Sequence, residues 1–206
     1  MIQTLTTQKL LTVQEFLEQK PEGRYELHNG TIVEMAQPTG KHENVTGFLT
    51  IQLSVELTRL NLPYNIPKTA LVAISKEESD CTYSPDVLVL NRPSLQNEEL
   101  WSKYSTVQLP QSIPLVIEVV STNWRDDYYK KFGDYEEMGI PEYWIVDYAG
   151  LGGRKFLGNP KQPAIFVCVL VDGEYQMTQF RGNDLIISPA FPQLKLTAQQ
   201  IFDSAL

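Results

Sequence analysis

Glu118 stands inside an apolar run, Leu115-Val116-Ile117-Glu118-Val119-Val120. Such runs form strands buried on both faces. An isolated carboxylate there is too costly to keep charged, so it must be protonated, paired or bound to a cation. A second run, Pro85-Asp86-Val87-Leu88-Val89-Leu90, puts Asp86 at the mouth of another apolar strand. Lys131 follows on the greasy face of a helix. Two carboxylates on apolar strands with a lysine nearby suit a hard divalent cation beside a phosphate.

Adjacent lysines follow Glu118, and helical geometry separates them. At about 100° per residue, Trp124, Tyr128, Phe132, Tyr135 and Met138 share one face. Lys131 projects within that stripe, whereas Lys130 falls to its side and reads as a solvated surface charge. Lys131 is then either a snorkelling side chain or an ammonium aimed at a polar site beneath it. Asp127, one turn earlier, is spaced so that it could simply serve as its i,i+4 partner. Trp124 and Arg125 together are candidates for base stacking or backbone contact.

The elements that must position these residues follow from pattern. Thr12-Val13-Gln14-Glu15 has capping-box spacing and opens a short helix ending near Lys20-Pro21. Tyr25 to Met35 reads as a hairpin turning at Asn29-Gly30 in type I′ geometry. Residues 41 to 60 predict a long helix with Val45, Leu49, Leu53, Leu57 and Leu60 as its stripe. Extended segments are expected at 64 to 74 and 86 to 91, and residues 92 to 113 read as a surface excursion. The buried strand at 115 to 120 leads to a helix from 123 to 138, stopped at Gly139-Ile140-Pro141. A strand at 143 to 147 follows, then a basic glycine-rich stretch (Gly150, Gly152, Gly153, Arg154, Lys155). Last come a hairpin, 164 to 171 and 174 to 181 around Asp172-Gly173, and a final helix capped at Thr197. The expectation is one α/β (α+β) domain over 1–206 with a mixed sheet.

Composition narrows the function. The 206 residues include only two cysteines, Cys81 and Cys168, which match no zinc spacing and imply reduced thiols in the cytoplasm. No apolar run reaches membrane-span length, so no membrane partner is expected. Met1 to Thr7 lacks the pattern of a secretory signal. A formal net charge of -8 excludes a protein that coats nucleic acid through a generic basic surface, though not one with a local basic groove. No Ser or Cys nucleophile motif supports a small-molecule hydrolase.

Taken in order, several fragments resemble the bacterial Uma-two family. They are Tyr25-Glu26-Leu27 with Gly30, His42, Pro85-Asp86-Val87, Glu118-Val119-Val120-Ser121, Asp127, Lys131, Tyr135 and Gly139 to Asp147. The resemblance covers nearly the whole chain. It implies a restriction-endonuclease-like core of the PD-(D/E)xK type, a central mixed sheet flanked by helices with N- and C-terminal hairpins. It also implies a metal-dependent DNA endonuclease. Asp86, Glu118 and the Val119 carbonyl would hold Mg²⁺ or Mn²⁺, with Lys131, Glu26 and His42 completing the catalytic set. The superfamily's lysine two residues after the glutamate is absent, because that position is Val120; here Lys131 stands for it, displaced to the helix. DNA is the implied substrate, and surface aromatics suit a homodimer, which many nucleases use to address two strands. The alternative is an inactive fold kept as a nucleic-acid or protein-binding module.

Overall fold

The computed structural model describes residues 9–206; the expectation about a signal at Met1 to Thr7 lies outside them. Thr12 and Glu15 form the reciprocal capping box that starts α1 (Val13–Gln19). β1 (Tyr25–His28) and β2 (Thr31–Glu34) then pair antiparallel. Asn29 and Gly30 both take positive φ, 49° and 73°, as a type I′ turn requires. α2 (Gly40–Arg59) buries Val45, Leu49, Leu53 and Leu57 on one stripe.

β3 (Tyr64–Asn65), β4 (Leu71–Ile74), β5 (Cys81–Tyr83) and β6 (Val87–Asn91) follow. Residues 64 to 74 are therefore not one extended segment: β3 pairs with β6, and β4 with β5. Pro67, which cannot donate to a ladder, interrupts them. Residues 92 to 113 also depart from expectation. They hold a 3-10 helix, α3 (Trp101–Tyr104), β7 (Thr106–Val107) and a second 3-10 turn. Residues 92 to 105 do run along the surface, with only Glu98 buried, but Thr106, Val107 and Ile113 are fully buried, so the excursion turns inward over its last part. The reason is Glu98: its buried carboxylate accepts the N–H groups of Gln108 and Leu109 at 2.9 and 3.1 Å, which lets a polar segment turn inward.

β8 (Leu115–Val119) precedes a π-helical turn at Asp126–Lys130, and this runs into α4 (Lys131–Met138). Gly139 ends α4 at φ 86°, the left-handed cap that glycine adopts without strain. β9 (Glu142–Asp147), α5 (Arg154–Leu157), the hairpin of β10 (Ala164–Val171) with β11 (Glu174–Phe180), and α6 (Ala198–Asp203) complete the chain.

These strands form two mixed sheets where one was expected. One has five strands, ordered β2-β1-β5-β4-β7, and the other six, ordered β11-β10-β9-β8-β6-β3. β4 runs parallel to β7, and β8 to β9. The six-stranded sheet is buried on both faces. Leu115, Ile117 and Val119 pack with the α2 stripe, whereas Val116 and Val120 pack with Tyr128, Tyr135 and Tyr143. Alternation places Glu118 on the second face, between Val116 and Val120. Ser84-Pro85-Asp86 links β5 to β6 and so carries the chain from one sheet to the other. The candidate site lies at that junction.

Candidate active site

Lys131, at the first position of α4, is 5% exposed. Its Nζ lies 3.0 Å from Glu118 Oε2, 3.7 Å from Glu26 Oε1 and 3.8 Å from Asp127 Oδ1. Of the two readings open for Lys131, the ammonium over a polar site is the one the structure shows. Lys130 departs from expectation: it is half-buried, with Nζ 6.0 Å from the Tyr83 ring centroid. The π turn before α4 inserts an extra residue and rotates Lys130 toward the body of the protein.

Glu118 and Glu26 come from different sheets. Tyr135 donates to Glu118 Oε1 at 2.9 Å, so Lys131 and Tyr135 hold one oxygen each. Glu26, 1% exposed, accepts the Ser84 N–H at 2.9 Å on one oxygen and meets His28 Nε2 at 2.7 Å with the other. Asp86 Oδ2 accepts the Val119 N–H at 2.8 Å, which fixes its carboxylate against the strand bearing Glu118. His42, from the first turn of α2, donates Nε2–H to the Val119 carbonyl at 2.9 Å, with Asp86 Oδ2 3.4 Å away. Its Nδ1 is buried without a partner among the described residues. All six expected site residues thus border one place. They line a cleft of ≈ 260 Å³ together with Arg24, Thr39 and Asp127.

Burial opposes charge on Lys131, but Glu118, Glu26 and Asp127 around it hold its pKa well above the usual lysine value. It is an ammonium. Burial pushes Glu118 up, and Asp86, Asp127 and Glu26 reinforce this against the pull of Lys131. Asp127 is pushed up to about 7 by burial, again with Asp86 adding to it and Lys131 opposing. Glu26 goes the other way: burial raises it, yet Lys131, His28 and the Ser84 N–H together bring it below the usual range. Burial lowers His42, and Asp86 with the Val119 carbonyl more than reverses that. Glu26, Asp86, Glu118 and Asp127 therefore crowd one lysine, a surplus of negative charge that protons or a cation must relieve.

Among the described residues, no three His, Cys, Asp or Glu side chains stand ready as a closed metal cage. The donor set nonetheless fits a hard cation, being carboxylate oxygen with unbalanced charge.

Two participants escaped the sequence reading. His28 lies two residues from Glu26 on β1, so strand alternation puts both on one face; that spacing was the available signal. Asp127 stands in the sequence as a helix partner of Lys131 and among the fragments of the resemblance, with no place in the expected site, whereas it lines the cleft. A neighbouring anchor is Asp147, which accepts Tyr128 OH at 3.0 Å and the N–H groups of Leu151 and Gly152 at 2.8 Å. A Cβ at Gly152 would stand 2.8 Å from the Asp147 carboxylate, so only glycine allows this approach.

Tyr135→Phe tests the hold on Glu118. Removing the hydroxyl leaves a buried carboxylate oxygen without its donor, worth about 1–3 kcal/mol. The melting temperature is expected to fall by roughly 2–10 °C for a chain of this size. An unchanged melt would mean that the bond contributes nothing.

The two mixed sheets with flanking helices make a mixed α/β fold, with the acid–lysine cluster at their junction. The chain belongs to the Uma2 family, described as "Putative restriction endonuclease", whose model matches residues 13–199. It is similar in structure to a putative nuclease of DUF820 from Anabaena variabilis, with a TM-score of 0.72 and 18% identity, over 95% of this chain and 99% of that one. No curated protein matches the chain significantly in sequence.

Proposed function

We propose that the chain is a divalent-metal-dependent endonuclease that hydrolyses phosphodiester bonds in DNA. The observation that carries this reading is the buried Lys131 ammonium, 3.0 Å from Glu118, bordering the same cleft as Asp86. Asp86, Glu118 and the Val119 carbonyl would hold Mg²⁺ or Mn²⁺. When bound, such an ion lowers the pKa of a coordinated water and draws charge from the phosphorus oxygens. A water oxygen bonds to phosphorus and one ester P–O bond breaks, leaving a phosphate monoester and a hydroxyl end.

The chain's own residues orient this chemistry. Lys131, steadied by Glu26 and Asp127, supplies a fixed positive charge where the transition state becomes more negative. His28 and the Ser84 N–H hold Glu26 in place. His42 braces the Val119 carbonyl beside Asp86. Thr39, the N-cap of α2, borders the cleft, so the positive end of that helix favours an anionic substrate. Among the described residues no helix is long and apolar enough to cross a membrane. A cytoplasmic location and a homodimer addressing two strands complete the proposal. Sedimentation giving a 23.5 kDa monomer at assay concentration would remove the dimer from it.

Supercoiled plasmid should be nicked with Mn²⁺ or Mg²⁺ and left intact in EDTA. Nicking equal to that of an identically purified Glu118→Gln preparation would overturn the proposal. The metal should also stabilise the fold. At about a hundred times its dissociation constant, linkage gives about 2.7 kcal/mol, or roughly 5–10 °C. The shift should be larger near about pH 8 than near about pH 6, because Asp127, at about 7, and the raised Glu118 must give up their protons.

The binding-module alternative draws on one observation: both oxygens of Glu118 are already engaged, by Lys131 and Tyr135. Calorimetric titration with Mn²⁺ separates the two. Heat that disappears in Asp86→Asn and Glu118→Gln supports the enzyme; no heat in the wild-type chain supports the module.

A further inference from the structure

Asn123 and Leu151 line the cleft, and just beyond them aromatic and cationic side chains gather at the surface. Arg125 is exposed, its guanidinium 4.6 Å from the Trp124 ring centroid. Tyr129 is 46% exposed, its ring 6.1 Å from Trp124 and 5.7 Å from Phe156. Lys155 Nζ sits 4.5 Å from the Tyr129 centroid and 4.6 Å from that of Phe156. Arg154 is exposed beside it.

Two segments distant in sequence build this surface. The turn into α4 carries Trp124, Arg125 and Tyr129, and α5 carries Arg154, Lys155 and Phe156. They are pressed together: a Cβ at Gly153 would stand 3.1 Å from the Trp124 indole. Tyr128 beneath, with its ring 4.4 Å from Phe156, anchors the group to the core. Core packing does not require Tyr129 to be exposed, nor cations to sit on these rings. On a chain of net charge -8, a cationic and aromatic cluster beside an anion-handling cleft stands out against the average.

This chemistry fits a strand of nucleic acid with unpaired bases. A guanidinium lying on an indole leaves its outer plane free, and a base can continue the stack. Lys155 and Arg154 can meet the phosphates of the same strand. A plain duplex keeps its base faces covered and could use only the charges. Resting on the nuclease reading above, we propose that Trp124, Arg125, Tyr129 and Lys155 form a stacking platform for single-stranded DNA next to the scissile phosphate. The enzyme's substrate is then DNA with unpaired bases flanking the cleavage point.

Fluorescence anisotropy in EDTA, where nothing is cut, tests the platform with a labelled single-stranded oligonucleotide and a blunt duplex of the same sequence. The single strand should bind at least roughly tenfold more tightly. Arg125→Ala and Tyr129→Ala, both at exposed positions, should each weaken single-strand binding by roughly fivefold to a hundredfold. Duplex binding should change by no more than about twofold, since one lost phosphate contact is a small part of it. Intrinsic tryptophan emission should be quenched on binding, and the quenching should be lost in Trp124→Phe. Equal affinity for the two DNA forms, or parallel losses on both in the variants, overturns the platform. Hydrolysis of bis(p-nitrophenyl) phosphate with Mn²⁺ keeps the two readings apart, because this small diester does not extend to the platform. It should be unchanged in Arg125→Ala and Tyr129→Ala. Normal hydrolysis without strand preference removes the platform alone; no hydrolysis with strand preference intact removes the nuclease reading and keeps the platform.

Discussion

Glu118→Gln is expected to lower metal-dependent cleavage by at least about a thousandfold while leaving the chain folded. The amide keeps the shape of the side chain and an oxygen that can accept from Tyr135 at 2.9 Å. Lys131 retains Glu26 at 3.7 Å and Asp127 at 3.8 Å, so the ammonium is not stranded. What disappears is the hard, charged oxygen that a cation would need, and the Mn²⁺-induced rise in melting temperature should vanish with it. Without metal, stability should hold or increase. A carboxylate whose folded pKa lies above its unfolded value weakens the fold as pH climbs past the unfolded value, and Glu118 is such a group. Cleavage within about tenfold of the wild type would remove Glu118 from the chemistry. A collapsed fold would instead show that Lys131 depends on this one partner.

The parts of the site legible in the sequence were those encoded by local period. Glu118 announced itself by breaking an apolar run, and Lys131 by falling inside a helical stripe. The stripe survives because the π turn lies before α4, so Lys131 and Tyr135 still stand four residues apart on one face. That same turn defeated the reading of Lys130, since nothing in five ordinary helix-forming residues signals a widened turn. Glu26 and His28 could have been joined by strand alternation, but that required knowing which face of the hairpin meets the second sheet. The split into two sheets was hidden for a related reason. β5 and β7 are three and two residues long, and their partners lie elsewhere in the chain: Val72 faces both Tyr83 and Val107. Strands this short carry no readable period, and tertiary contacts decide them. The buried Glu98 makes the same point, because a carboxylate that satisfies two backbone amides looks, in sequence, like any surface acid.

Lys131→Met is expected to destabilise the fold by about 3–5 kcal/mol near neutral pH and to abolish cleavage. Methionine fills much of the volume but leaves Glu26, Glu118 and Asp127 facing one another with no cation between them. Losing the ammonium raises all three folded pKa values, Glu118 and Asp127 from an already raised position and Glu26 from a lowered one, so the carboxylates respond by binding protons. The sign follows from linkage: the folded state then holds more protons than the unfolded one, so stability falls as pH rises. Asp127, with an ordinary value of 3.8 and a folded value of about 7 even beside the lysine, marks the window in which this happens. Urea midpoints measured near about pH 5 and about pH 8 should therefore diverge strongly for Lys131→Met. They should diverge less for the wild type, where the ammonium keeps Glu26 below its usual value. A variant with one midpoint at both pH values, and a loss under about 1 kcal/mol, would reduce Lys131 to a passenger with a buried stem. Cleavage is best compared at low temperature, with the variant shown to be folded by circular dichroism, because the fold and the reaction draw on the same charge. A folded Lys131→Met protein that still cuts DNA would separate the two roles and leave the lysine only the first.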